Sequence, residues 1–115
     1  MCQQAHSFRR YKVGEKYAQH HDYLDLQLER NQGARMLTVY MYLNDVTAGG
    51  GTRFPDLNVT VTPKQGRVVI WPSVLDSDTS KRDPRTEHEA LPVEQGIKFG
   101  TSKWNTSSLL QVFCC

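Results

Sequence analysis

Three side chains in this sequence could together bind one metal ion: His20, Asp22 and His88. On an extended strand, side chains two residues apart point to the same side, so His20 and Asp22 could both reach one ion. His21, which lies between them, would then point the other way. His88 follows a polar loop and precedes an apolar stretch, which predicts that it lies where a strand begins beside a cleft. We therefore predict a metal site with two imidazoles and one carboxylate.

This set of ligands permits two kinds of chemistry. Two histidines and one carboxylate on one side of a metal leave the opposite positions open, as in the non-haem Fe(II) oxygenases. Three protein ligands with a water molecule also describe catalytic zinc, which would serve hydrolysis. Lys98 favours the oxygenase, because a lysine directed into a β-barrel is costly unless it meets an anion such as a dicarboxylate. Taken alone, each of these residues also has a plain interpretation as a surface side chain, and His6 and His21 are interpreted as surface or packing residues.

The elements that must position these residues are predicted to be strands. Apolar and aromatic residues alternate between Arg35 and Val46, which predicts a strand packed on both faces. Only Leu24 to Arg30 has a weak helical period, and residues 73–86 form a long polar loop. Glycine and proline separate further short runs, so the sequence predicts an all-β sandwich or barrel. A turn at Gly14 is predicted between two strands near the start, and the other predicted strands are 58–62, 67–71, 89–93 and 98–104.

The composition limits the remaining possibilities. A chain of 115 residues fits one domain, 1–115, and 38% hydrophobic with 23% charged residues excludes disorder of the whole chain. The net charge of +2 includes no dense basic stripe, so we expect no nucleic-acid partner. Cysteine occurs only at positions 2, 114 and 115, which excludes a disulfide framework. No apolar run predicts a signal peptide or a membrane span in this chain.

In their order along the chain, the motifs resemble the prolyl 4-hydroxylase (alpha-subunit type) branch of the Fe(II)/2-oxoglutarate-dependent dioxygenases. The resemblance covers about residues 8–104, leaving 105–115 as an atypical tail. Each motif is weak alone, and the ordered combination is specific. The matching segments are Tyr11 to Tyr17 with His20-His21-Asp22, Arg35 to Thr38, Tyr42 to Val46, Gly50 to Pro55, Pro63 to Arg67, His88 to Val93, Gly96 to Phe99, and Lys103-Trp104.

The resemblance implies a double-stranded β-helix, or jelly roll, and a role for each matching residue. The implied iron ligands are His20, Asp22 and His88. Lys98 would pair with the distal carboxylate of 2-oxoglutarate, and Tyr17 and Thr52 would hydrogen-bond to the same cosubstrate. Tyr11 and Trp104 would contact a peptide substrate, with core packing as the alternative for both.

The activity implied is hydroxylation of a proline-containing chain, coupled to conversion of 2-oxoglutarate and O2 into succinate and CO2. Ascorbate would keep the iron reduced. Two alternatives stay open: an oxygenase for a different peptide or small molecule, and a non-catalytic binding module of the same fold. By resemblance, the compartment would be the endoplasmic reticulum if a longer precursor exists.

The sequence departs from the family at its start. Family members usually carry an N-terminal helical layer that covers the larger sheet, and this chain begins directly at the first catalytic strand. We expect the missing layer to expose apolar sheet surface, which predicts self-association.

Overall fold

Short strands make up almost all of the regular structure in this computed structural model, which describes residues 6–23 and 34–106. Those residues contain no α-helix. They also contain no helix that is long and apolar enough to cross a membrane. The weak helix predicted at Leu24 to Arg30 lies outside them. The strands are β1 His6–Tyr11, β2 Tyr17–His20, β3 Arg35–Tyr42, β4 Ala48–Gly49, β5 Thr52–Phe54, β6 Val59–Val61, β7 Val68–Pro72, β8 His88–Ala90, β9 Val93–Gln95 and β10 Lys98–Thr106, with 3-10 turns at Pro55–Leu57 and Pro84–Thr86.

The strands form two four-stranded antiparallel sheets and one small pair. The first sheet has the order β1-β10-β3-β7, the second has the order β2-β8-β5-β6, and β4 pairs with β9. Most neighbours within a sheet are not consecutive in the chain, so the chain passes repeatedly from one sheet to the other. This is the topology of a jelly roll, and it confirms the predicted all-β fold.

Aromatic side chains join the two sheets. Tyr40, Tyr42 and Trp71 of the first sheet pack with Phe54 of the second, and the Phe54 and Trp71 ring centroids lie 5.3 Å apart. Tyr42 has no exposed surface. Gly100 of β10 lies directly against this cluster, where a Cβ atom would overlap the Tyr40 hydroxyl. Glycine at position 100 therefore makes room for the aromatic core.

The prediction that β3 is packed on both faces is wrong. Its inward face, with Thr38, Tyr40 and Tyr42, is buried, whereas Met41 on the other face is 37% exposed. The prediction that the strand at 67–71 is compact and buried is wrong in the same way. Ile70 lies on the same face of the sheet as Met41 and is 60% exposed. Apolar alternation identifies a strand, but it does not say how many layers cover it.

These exposed residues form one surface of the first sheet. The strand register places Phe8, Thr101, Met41 and Val68 side by side across β1, β10, β3 and β7. Phe8 is 66% exposed. We call the side chains of Phe8, Met41, Val68 and Ile70 the outer apolar face.

The turns follow the sequence signals closely. Gly14 has a φ of +84° between β1 and β2, which confirms the predicted turn. The strand predicted at 89–93 is in fact two strands, β8 and β9, separated at Pro92, which has no N–H for a sheet hydrogen bond. The short strands β4 and β5, on either side of Gly50 and Gly51, were not predicted.

Candidate active site

Two histidines face each other across a pair of strands of the second sheet. His20 is the last residue of β2 and His88 the first of β8, and the register places them directly opposite, with ring centroids 4.4 Å apart. Nδ1 of His20 lies 2.8 Å from the Ala18 carbonyl oxygen, and Nδ1 of His88 lies 2.9 Å from that of Thr86. Because a carbonyl oxygen only accepts, each Nδ1 carries the proton. Each Nε2 therefore keeps its lone pair for a ligand.

Asp22 completes the group. Its Oδ1 lies 3.6 Å from Nε2 of His20 and 3.6 Å from Nε2 of His88. The candidate ligand atoms of the three residues all lie within 4.8 Å of one another. The predicted strand continuing through Asp22 is not present, because β2 ends at His20, yet the carboxylate still points to the same side.

The second carboxylate oxygen of Asp22 is held by the opposite sheet. Thr38 Oγ1 donates to Oδ2 at 2.6 Å, and Trp71 Nε1 donates to the same oxygen at 3.2 Å. Thr38 and Trp71 are partners in the register of β3 and β7. With Oδ2 engaged, Oδ1 is the oxygen that remains for a metal. Sequence reasoning missed both donors, because only the register brings a lone threonine and a lone tryptophan to this carboxylate.

The protonation states suit metal binding. Burial alone would raise the pKa of Asp22, but the neighbouring imidazoles of His20 and His88 and the hydrogen bond from Thr38 outweigh it and lower the pKa to about 2. Burial lowers the pKa of His88, against the opposing effect of Asp22. The site thus combines an ionised carboxylate with a neutral imidazole, which are the forms that bind a metal.

His21 has a structural role. Its Nε2 donates to the Asp83 carbonyl oxygen at 2.7 Å, and its Nδ1 accepts from the Tyr23 N–H at 3.0 Å. Both ring nitrogens therefore already have a hydrogen-bond partner. The burial of His21 agrees with its interpretation as a packing residue. The side chain of His6 lies outside the described part of the chain.

Lys98 is buried, with 1% of its surface exposed. Its Nζ donates to the Gly50 carbonyl oxygen at 2.9 Å and lies 4.2 Å from the centroid of the Tyr11 ring. No carboxylate among the described residues pairs with it, and burial lowers its pKa to about 8. An ammonium has three donors, so Lys98 retains hydrogen-bonding capacity for an anion.

A cavity of about 300 Å³ contains the three candidate metal ligands in its wall. The other predicted site residues in the wall are Tyr11, Tyr17, Thr52 and Trp104. Lys98 is not in the wall, but its Nζ lies 4.2 Å from the centroid of the Tyr11 ring. Aromatic rings and arginines supply most of the remaining wall. The full lining is Arg9, Tyr11, Tyr17, His20, His21, Asp22, Arg35, Thr38, Tyr40, Thr52, Trp71, His88, Ala90, Ser102 and Trp104.

The two lining tyrosines differ in their surroundings. Tyr11 is 8% exposed and lies against Lys98, whereas Tyr17 is 36% exposed and lies 4.1 Å from the His20 ring centroid. The buried Thr52 shares a 2.7 Å hydrogen bond with the hydroxyl of Tyr42, a contact that the sequence did not predict.

Trp104 is also in the cavity wall, where its ring is covered by a guanidinium group. The guanidinium carbon of Arg35 lies 3.9 Å from the centroid of the Trp104 ring. Cation–π contact of this kind fixes the orientation of both side chains.

Comparison with known proteins agrees with this geometry. The family model of the 2OG-Fe(II) oxygenase superfamily matches residues 6–106. The chain is 36% identical over 97 residues to "Prolyl 4-hydroxylase subunit alpha-2" of Gallus gallus and 37% identical over 99 residues to "Prolyl 4-hydroxylase subunit alpha-1" of Homo sapiens. Each match covers 82% of this chain and 18% of the relative, so the chain spans less than a fifth of the length of these proteins.

Solved structures give the same result. The viral collagen prolyl hydroxylase of Paramecium Bursaria Chlorella virus-1, in its 2OG complex, is 32% identical, with a TM-score of 0.72. That match covers 87% of this chain and 59% of the viral one. A prolyl-4-hydroxylase of Pseudomonas putida is 24% identical, with a TM-score of 0.62 and coverage of 88% of this chain and 51% of that one, and it supports the fold alone.

The chain belongs to the 2OG-Fe(II) oxygenase superfamily. Within it, the chain falls in the prolyl 4-hydroxylase branch. Membership implies Fe(II), 2-oxoglutarate, O2 and ascorbate as cofactors and cosubstrates. The residues fit iron, because two Nε2 lone pairs and an ionised carboxylate oxygen converge on one point.

Thr38 provides a test of the role of the first sheet. Thr38→Val preserves shape but removes the 2.6 Å hydrogen bond to Asp22 Oδ2. We expect metal affinity to fall about tenfold, as is typical when a partner of a metal ligand is lost. Anaerobic calorimetric titration with Mn(II) measures this loss. Thr38→Ser, which keeps the hydroxyl, should restore the affinity, and unchanged affinity in the valine variant would contradict the role.

Lys98 provides a test based on stability and pH. Its pKa is lower in the folded chain than the ordinary value of 10.5, so the contribution of Lys98 to stability rises with pH between about pH 8 and pH 10.5. Burial raises the pKa of Tyr11, Tyr40 and Tyr42, whose contribution falls near pH 10, so the variant is compared with the natural chain at each pH. Lys98→Met should abolish this rise and stabilise the ligand-free protein at pH 7 by about 1–2 kcal/mol. Urea unfolding at pH 7 and pH 10 measures both effects. Lys103→Met on the same strand is the control, and a less stable Lys98→Met protein at pH 7 would refute the argument.

Proposed function

We propose that this chain carries the active site of an Fe(II)- and 2-oxoglutarate-dependent dioxygenase that hydroxylates proline in an extended polypeptide. The observation that carries the proposal is the convergence of His20, Asp22 and His88 within 4.8 Å, in a cavity whose wall includes Tyr11, the residue that covers the buried Lys98. The relatives named prolyl 4-hydroxylases support the choice of reaction and substrate. Because they are much longer proteins, activity and substrate are proposals for this chain.

Each residue of the site has a defined part in this proposal. Nε2 of His20, Nε2 of His88 and Oδ1 of Asp22 hold the iron, which when bound supplies redox activation of dioxygen. Thr38 and Trp71 hold Asp22 Oδ2, so the carboxylate keeps one orientation during turnover. Orientation of this kind is a large part of what a protein contributes to a reaction whose chemistry belongs to the metal.

The distal carboxylate of 2-oxoglutarate is proposed to bind at Lys98. A carboxylate there would meet an ammonium that has no carboxylate partner among the described residues, which offsets the cost of burying that charge. Thr52 is the second proposed contact. The Tyr42 hydroxyl donates to the Val61 carbonyl oxygen at 3.1 Å, so Thr52 donates to the Tyr42 oxygen and would turn its hydroxyl proton away from Tyr42 to reach the cosubstrate.

The contacts of the two tyrosines favour a different division of their roles from that implied by the resemblance. Tyr11 is buried against Lys98, so we propose it for the cosubstrate end of the cavity. Tyr17 is partly exposed beside His20, so we propose it for the substrate end together with Trp104.

The overall reaction accounts for every atom. One oxygen atom of O2 enters succinate as 2-oxoglutarate loses CO2, and the other replaces a C–H hydrogen of proline as a hydroxyl group. The aromatic wall formed by Tyr40, Trp71 and Trp104 limits water near the metal until a substrate covers the opening.

The first experiment measures succinate formation by the anaerobically purified chain given Fe(II), ascorbate, 2-oxoglutarate and air. A proline-rich peptide should raise the rate, and mass spectrometry should find one added oxygen on proline. His20→Ala should reduce turnover at least 100-fold, because it removes one of the three metal ligands. Since the His20 side chain is 31% exposed, its removal should leave the fold intact, which circular dichroism checks.

Each other result has a clear meaning. Succinate without hydroxyproline would keep the oxygenase and remove the proline substrate. Binding of metal and 2-oxoglutarate without turnover would favour a non-catalytic module of the same fold. Full activity of His20→Ala would remove the proposed iron site.

The outer apolar face leads to a proposal about assembly. Its side chains are 37–66% exposed, and Thr101 lies between Phe8 and Met41 in the strand register. We propose that the chain self-associates through this face, because exposed apolar patches favour association. Ile70→Lys should lower the mass observed by sedimentation velocity, whereas Lys12→Gln should leave it unchanged. An equal mass for Ile70→Lys and the natural chain would exclude this face.

A further inference from the structure

Few charged side chains contribute to the described lining of the first cavity. Apart from the three candidate metal ligands and His21, they are Arg9 and Arg35. The only carboxylate in that lining is Asp22, which the proposed function assigns to iron. Arg9 therefore presents a positive charge to a substrate that enters the cavity, which favours negatively charged groups.

Arg9 is held at the exposed end of this wall. Its guanidinium carbon lies 4.9 Å from the centroid of the Tyr17 ring, and that ring lies 4.1 Å from the His20 ring. The guanidinium is thus no more than about 9 Å from the His20 ring centroid. Arg9 also hydrogen-bonds to the Tyr11 side chain, and the remaining N–H groups of the guanidinium can bind a carboxylate.

The surface next to Arg9 is basic as well. A second cavity of about 290 Å³ shares Arg9, Tyr11 and Tyr17 with the first and adds Arg10 and Lys16. Its one acidic residue, Glu15, accepts a 2.6 Å hydrogen bond from the Lys12 N–H and is turned towards its own turn. The basic surface therefore continues from the first cavity into the second.

Building on the proposed function, we propose that Arg9 is a specificity-determining residue that selects peptides with an acidic side chain close to the hydroxylated residue. An extended chain advances about 3.3–3.6 Å per residue, so a span of at most about 9 Å corresponds to no more than about three residues. The geometry points to glutamate or aspartate within three positions of the reactive proline. A neutral or basic residue there would leave Arg9 without this contact.

The test uses matched pairs of fluorescent proline-rich peptides that carry glutamate or glutamine at each position from three before to three after the proline. The protein is the full chain loaded with Mn(II) and 2-oxoglutarate, and binding is measured by fluorescence anisotropy. We expect one glutamate peptide to bind about fivefold more tightly than its glutamine partner, with the ratio falling as salt is added. Arg9→Gln should bring the ratio near one, and Arg9→Lys should restore part of it.

Lys12→Gln is the matched control, because it removes one positive charge from the neighbouring turn without altering the lining of either cavity. It should keep the preference. Equal binding of all glutamate and glutamine pairs would overturn the inference, and so would a preference that survives Arg9→Gln.

Turnover assays on the same peptides separate this inference from the proposed function. Hydroxylation without a charge preference would leave the proposed function and overturn the role of Arg9. A charge preference in binding without hydroxylation of any peptide would leave the role of Arg9 and remove the proposed activity.

Discussion

The carboxylate of Asp22 is the point on which the site depends, because both sheets reach it. The second sheet supplies the histidines that flank Oδ1, and the first sheet supplies the threonine and tryptophan that hold Oδ2. Each pair of residues is a directly opposed pair in its own sheet register. A slip of either register by one residue would turn these side chains to the opposite face and dismantle the site. The packing that joins the sheets is therefore also what assembles the chemistry.

Two of the buried charged groups, Asp22 and Lys98, have opposite surroundings. Asp22 is surrounded by donors and by imidazole, so its charge is stabilised before any ligand arrives. Lys98 has one carbonyl oxygen and one aromatic ring, which only partly replace the water it has lost. This arrangement lowers the stability of the ligand-free protein. Binding of an anion raises the stability again, because a ligand that binds only the folded state shifts the folding equilibrium towards it. Stability and cosubstrate occupancy are coupled through this one lysine.

Much of the site could be predicted from the sequence. The types and order of His20, Asp22, His88 and Lys98 were informative because few other roles explain that combination. The all-β fold followed from short alternating runs and from glycine and proline between them. Thr38 and Trp71 could not be predicted, since their contact with Asp22 depends on a register across β3 and β7 that single-sequence patterns do not specify. The burial of β3 and β7 was predicted wrongly for a related reason: the apolar pattern is the same whether a sheet is covered on one face or two.

The polar loop before β8 is not uniform along its length. Its tip folds back on itself, with the Leu75 N–H donating to the Lys81 carbonyl oxygen at 3.0 Å. Its end is anchored, because Asp83 accepts from His21 through its carbonyl and Thr86 holds Nδ1 of His88. Side chains at residues 76–80 can therefore change without displacing the metal ligands. Changes at residues 83–88 would displace them, because these residues hold His21 and His88 in place. The tip of this loop can therefore change by ordinary drift, while its last turn changes only at the expense of the metal site.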